Sequence, residues 1–427
     1  MAIFFTQNGE PNEYGLAYNN NAWVIKTTNY TPTIRFRIAV VPIDYPVSPA
    51  ISQVRVYPTR AEDSSGVVYL DRAFFDPSRW LQSQIRSQVN IPSADHQGFS
   101  LRNKMHFEYI LVVQEEEIDS NGIYQSGDIR LSSIKSVWNG VRDTVDWLDF
   151  DVTEYLINTF SLTKKFLTDS PRTLDINTGQ SAFLYFISNL RNSATQYTLK
   201  TYSEYNGGGS LLDTATVANP VSVADDWDKM YFAIPVGTYD IENIAAASMT
   251  GATPSTVLNG VKSYTIQLRD STNAQVSELF TYNIDRICTK FTPVRLHWLN
   301  SLGGFDSFNF NLKSIEENDI KKESYVKQPN VFNGNSYTYT KDASGTVDYD
   351  IRKTKNLTIN TDYLTDEESA WMLDLVASPV VYLEQNNELI SVTCKERRFK
   401  KMTSLNDKLP QYTFDIEYAL TNVRQRG

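Results

Sequence analysis

The chain has little of what most enzymes and metal proteins are built from. Only two cysteines, Cys288 and Cys394, occur in 427 residues, and they lie far apart. Two thiols cannot complete a zinc site, and a disulfide framework carries more of them. Both are expected to be unpaired. Three histidines are present, His96, His106 and His297, none spaced i, i+4. There is no basic surplus: 40 Lys and Arg stand against 50 Asp and Glu, a net charge of −10. A nucleic-acid binder needs a basic surface to replace counterions, so sequence-specific binding of nucleic acid is not expected. No window approaches the roughly 18 uncharged apolar residues that cross a bilayer. Met1 to Gln7 lacks the basic region and apolar core of a secretory leader, and synthesis in a cytoplasm is expected.

Catalytic signatures are missing as well. No G-x-S-x-G, H-E-x-x-H, Walker loop or G-x-G-x-x-G stands in a fitting context. Gly207-Gly208-Gly209 is not followed by a helix opening with Lys-Ser or Lys-Thr, so it reads as a loop. Asp146, Asp149 and Asp151 surround Trp147 and Phe150, but calcium needs about six to eight oxygen ligands, and helix capping already accounts for Asp151. Glu115-Glu116-Glu117 reads as a solvated charge run at the end of a strand. Paired carboxylates for glycoside hydrolysis must face each other across roughly 5–10 Å, which spacing along a chain does not show. His297, beside Trp298 in an apolar stretch, is expected to be structural. No catalytic residue, metal or cofactor is therefore assigned.

What the chain does have is aromatic and strand-forming. Aromatics make up 12%, with 25 Tyr, 21 Phe and 7 Trp. Such a mix, with frequent Thr and Asn, favours strands and turns, and the fold class is read as mainly β. The length exceeds what one core supports, so several domains are expected. The first, 1–168, holds the half-exposed strand pattern Ile34, Phe36, Ile38, Val40 against Arg35 and Arg37. It also holds a helix opened by Asp76-Pro77 and a second short helix capped by Asp151 and Glu154, burying Tyr155, Leu156 and Phe160. The second, 169–289, reads as a β-sandwich with strands over 183–187, 197–202, 229–233 and 264–268. Tyr202 and Tyr205 there suit either sugar stacking or packing. The third, 290–427, has a tight turn at Gly303-Gly304 and a polar hairpin over Tyr325 to Gly345, long enough to reach a neighbouring subunit.

The last stretch carries the densest signals. Thr365-Asp366-Glu367-Glu368 is a capping box. Trp371, Met372, Leu375 and Val376 follow at helical spacing, and Pro379 stops the helix. Strands over 380–384 and 389–395 flank a turn at Asn386-Asn387. Tyr412, Phe414, Ile416, Tyr418 and Leu420 alternate with Thr413, Asp415, Glu417 and Ala419, a period of two. Lys395 to Lys401 is the one basic cluster.

This order of strand, capped helix, hairpin and long closing strand resembles the tail-tube-type domain of tailed bacteriophages, found in tail-tube and distal-tail proteins. The resemblance covers about the last 130 residues. Arg295 to Asp306 and Phe166 to Arg172 are similar to stretches in structural proteins of phages that infect Bacteroidetes. The resemblance implies a C-terminal β-sandwich or split barrel with one helix. It implies a structural virion protein of the tail or baseplate that joins the tail tube to host-binding components. Its partners would be copies of itself in a ring such as a hexamer, and other tail proteins; its place would be the virion tail, assembled in the host cytoplasm. Subunit-interface candidates are Arg397, Arg398, Lys400, Lys401, Tyr412, Phe414 and Tyr418. Two other function classes remain: a carbohydrate-binding adhesin of β-sandwiches, favoured by exposed aromatic platforms, and a glycan-cleaving enzyme, favoured by two facing carboxylates.

Overall fold

The computed structural model describes residues 3–6, 9–28, 31, 33–43, 52–62, 65–87, 89, 98–157, 164–188, 195–220, 231–286, 290–328, 330–332, 334–342, 344–403, 410–420 and 422–423. The protein is mainly β, with multiple sheets and β-sandwich-like architecture. It divides into two compact units, one of 1–286 with 300–306, the other of 287–299 with 307–427. The expected boundary near 168 does not separate units. Ser100–Leu101 pairs with Tyr231–Pro235, so one sheet draws strands from both sides of it. His96, Phe160 and Cys288 lie outside the described residues, as does the start of the strand expected at 229.

In the first unit, alternation decides the largest early sheet. Arg35–Pro42 pairs antiparallel with His106–Ile118. Phe36, Ile38 and Val40 are buried and meet Tyr109, Leu111 and Val113 in one core. A strand places every second side chain on one face, so the intervening arginines point the other way. The expected helix after Asp76-Pro77 forms over Ser78–Gln84, one residue later than expected, with Pro77 outside it and Asp76 accepting the Ser78 N–H at 2.9 Å. The second expected helix is only a 3-10 turn, Val152–Tyr155, which passes directly into the strand Leu156–Ile157. Short helices form at Thr144–Asp149 and Thr238–Glu242, where the sequence carries no strong helical period.

A second core of the same unit lies between two sheets. Phe183–Ser188 is buried at every position, as a strand covered on both faces must be. Phe186, Phe232 and Ile234 meet Tyr197, Leu199, Tyr264, Ile266 and Phe280 in a single cluster. Gly303 takes a φ of +93° in the turn Asn300–Gly304. A Cβ there would meet the Asn139 carbonyl oxygen, so only glycine fits.

Among the described residues the second unit holds an eight-stranded sheet, a separate two-stranded hairpin and one helix. The path of the large sheet runs 305–310, 294–299, 381–385, 388–394, 413–418, 346–360, 315–326, and an eighth strand, 422–423, pairs with 346–360 off that path. The hairpin turn at Asn386-Asn387 has φ of 54° and 61°, a left-handed pair suited to a two-residue loop. The capping box forms as expected: Thr365 Oγ1 accepts the Glu368 N–H at 3.2 Å, and Glu368 Oε2 accepts the Thr365 N–H at 2.8 Å. The helix Asp366–Ala377 buries Trp371, Met372 and Leu375. Trp371 lies 5.0 Å from Trp298 and 5.9 Å from Phe308, ring centre to ring centre. This aromatic seam fixes the helix on the sheet. Trp371→Ala should therefore lower stability by about 3–5 kcal/mol. A thermal melt reads it, and a midpoint equal to the unaltered chain would contradict the seam's role.

Candidate functional site

The most unusual surface of the second unit is its last strand. Ile315–Val326 is exposed at all twelve positions. It pairs on one side with Thr346–Asn360, from Ile315 opposite Thr358 to Val326 opposite Thr346. On its other side it has no strand partner among the described residues. The polar hairpin expected over 325–345 is thus the far end of a longer arm, on which 330–332 and 337–339 form a small hairpin of their own. Polar cross-strand pairs hold the arm: Lys355–Glu316 at 2.8 Å, Lys322–Asp348 at 3.3 Å, and Tyr349 Oη donating to Glu323 at 2.7 Å. Such exposed pairs contribute about 0–1 kcal/mol each. Meanwhile Ile320, Tyr325, Val326, Phe332, Tyr337 and Tyr339 are exposed apolar or aromatic side chains on the same arm.

The base of the sheet is locked differently. Arg295 stands opposite Glu384 across a strand pair. Its Nε lies 3.2 Å from Glu384 Oε2, its Nη1 donates to Asn309 at 2.8 Å, and its Nη2 donates to Ser307 at 2.6 Å. His297 Nε2 sits 2.8 Å from the same carboxylate oxygen. All three ionisable groups are buried. Removing one partner of such a group leaves a buried charge unpaired, at about 3–5 kcal/mol. His297 is thus one member of a buried polar group at the base of the sheet.

The interface candidates divide. Arg397, Arg398, Lys400 and Lys401 are exposed and follow the strand Glu388–Cys394 as irregular chain. Tyr418 is half-buried, with Lys355 Nζ 4.8 Å from its ring centre. Tyr412 and Phe414, however, face the interior of their own unit. Alternation marks an apolar face but not what covers it; here the cover is Phe310, 5.9 Å from Phe414, and Phe399, 5.1 Å from Tyr412. Tyr412 works as a clamp. Its hydroxyl accepts the Met402 N–H at 2.7 Å, donates to the Lys400 carbonyl at 3.1 Å and lies 2.7 Å from Ser369 Oγ. It pins the basic segment to the helix.

Catalytic residue types also meet in the first unit. His106 Nε2 lies 3.2 Å from Ser136 Oγ, which donates to Glu108 Oε1 at 2.9 Å. All three are buried. Ser136 gives its proton to the carboxylate rather than to the imidazole, so the set is a core network and not a nucleophile with its base. Burial drives the His106 imidazole down to about 4, and Glu108 at 3.8 Å does not offset it. Glu115 and Glu116 depart from the expected solvated run. Both are buried inside a strand: Glu115 accepts from Thr27 at 2.6 Å, and Glu116 pairs with Arg35 at 2.6 Å and Arg55 at 3.1 Å. Tyr202 and Tyr205 are half-buried. Among the described residues no group of three or more His, Cys, Asp or Glu is placed to hold a metal ion, and no helix is long and apolar enough to cross a membrane.

No protein-family model and no curated protein matches the chain. Among solved structures, a marsupial T cell receptor aligns over 84% of this chain and 96% of its own, at 8% identity and a TM-score of 0.20. A score that low carries no argument.

Two consequences are measurable. The unfolded chain takes up a proton at His106 near pH 6.5, whereas the folded chain resists until about 4. Stability from this site is present above pH 6.5 and is lost as pH falls toward 4. Between pH 7 and pH 5 the loss should be about 2 kcal/mol. Urea unfolding should show it, and His106→Asn should flatten that slope. Tyr412→Phe removes three polar contacts of the basic segment and should destabilise the unit by about 1–3 kcal/mol. Brief trypsin treatment should then cut after Arg397 to Lys401 faster than in the unaltered chain; equal cleavage rates would show the clamp to be idle.

Proposed function

We propose that this chain is a structural virion protein of a phage tail or baseplate, assembling as a homo-oligomeric ring between the tail tube and host-binding components. The observation that carries the assembly part is the free edge of Ile315–Val326. Twelve exposed residues offer one side of their backbone N–H and C=O groups, with no strand partner there among the described residues. A second strand can add to such an edge through main-chain hydrogen bonds. Where this edge joins a different surface of the next copy the contact is head-to-tail, and such contacts close into a ring when the rotation permits. The exposed apolar side chains of the arm support the same reading, because a lone hairpin is marginal in water and gains from a covering partner. The tail assignment rests on the resemblance of the last 130 residues to tail-tube-type domains. The exposed basic segment 397–401 suits an acidic surface on a neighbouring copy of this acidic chain, where it would speed docking more than tighten it.

The test is to shorten the arm within the full chain, replacing 319–354 by Asn-Gly. This keeps the pairs from Ile315–Thr358 to Asn318–Lys355 at the arm's base. The shortened chain should melt as the unaltered chain does, yet remain a monomer by mass where the unaltered chain forms rings visible by electron microscopy. Identical rings from both would refute assembly through this edge.

A further inference from the structure

A cavity of about 460 Å³ opens in the first unit, within the range of roughly 300–1,000 Å³ typical of small-ligand sites. Two pieces of local structure build it. The strand Tyr14–Leu16 pairs parallel with Lys135–Trp138 and brings up Tyr14, with Asn12 and Glu13 just before it. The 3-10 turn Val152–Tyr155 brings up Asp151 at its cap. The floor is apolar: Val152 and Leu156 are buried, and Phe150 is half-buried. The rim is polar, because Asn12, Glu13, Asp151 and Thr153 are exposed.

The chemistry of that rim is one-sided. Among the described residues that line it there are two carboxylates and an amide, and none is basic. Lys164 does not line it and donates to the Thr153 carbonyl at 2.6 Å. An anionic ligand would meet like charge. Asp151 is held in place and ionised: its carboxylate accepts the Thr153 N–H at 2.9 Å, and hydrogen bonds from Thr153 hold it below the usual carboxylate range. Its other lone pairs remain as directional acceptors. Phe150 stacks with Trp147 at 5.7 Å and with Tyr155 at 5.4 Å. The Arg142 guanidinium already lies over that ring, 5.3 Å from its centre, so a second cation there would meet like charge. A ligand with several hydroxyl donors and an apolar C–H surface matches both rim and floor.

We propose that this cavity is a binding site for a neutral pyranose sugar, with Asp151 and Asn12 hydrogen-bonding its hydroxyls over the Val152–Leu156 floor. The site is independent of ring assembly, since all its residues belong to the first unit.

Saturation-transfer NMR on the full chain tests it, with glucose, galactose, mannose and N-acetylglucosamine as probes and glucuronate and glucosamine as charged counterparts. At least one neutral sugar should bind, more tightly than its uronate. Asp151→Asn keeps a good capping residue while removing the charge, and it should weaken that sugar about tenfold or more. Asn12→Ala should weaken it too, with the melting midpoint unchanged in both variants. The proposal is overturned if none of the four neutral sugars binds. It is also overturned if only the amine-bearing sugar binds, or if both variants bind the neutral sugar as the unaltered chain does.

Discussion

Backbone hydrogen bonding that no other described strand completes along one side of Ile315–Val326 is the constraint around which the second unit is organised. Every peptide N–H and C=O needs a partner, in protein or in water. An inner strand is paired on both sides, whereas among the described residues this edge strand is paired on one, over its whole length and with no buried side chain. Proteins usually blunt a long edge with charges, bulges or a cover. Here one bulge between Glu323 and Ser324 and a scatter of charges do so only in part. Ile320 and Val326 remain exposed on the arm. A long open edge with apolar side chains is a poor end state for a monomer and a suitable starting point for strand addition.

The rest of that unit gives the edge something rigid to project from. Trp298, Phe308 and Trp371 fix the helix to the sheet. The buried Arg295–Glu384–His297 group fixes the pairing of two strands, since a one-residue slip would break every contact at once. Tyr412 then ties the basic segment to the same helix. Packing and buried charge hold the base, while the arm relies on weak surface pairs.

Local signals in the sequence were the reliable ones. The capping box at Thr365, the Asn386-Asn387 turn and the alternation from Phe36 to Val40 each depend on residues close along the chain, and each is found where expected. The mainly β class follows from the same kind of signal. Partnerships across long separations were not legible. Nothing near Glu116 in sequence reveals that Arg35 and Arg55 neutralise it, so three successive glutamates read as a solvated run. Nothing near Tyr412 says that its apolar face meets its own helix rather than another subunit. The cavity beside Asp151 unites residues about 140 positions apart, and only its capping role was visible beforehand.

The central claim is that the edge at Ile315–Val326 pairs with another copy. Amide hydrogen exchange, compared between the assembled ring and the isolated monomer of the same chain, tests it most directly. Pairing predicts that alternate amides from Ile315 to Val326 exchange rapidly in the monomer and slowly in the ring, because alternate backbone groups face outward along a strand. Rapid exchange of those outward amides in both states, or a chain that stays monomeric at every concentration, would contradict it.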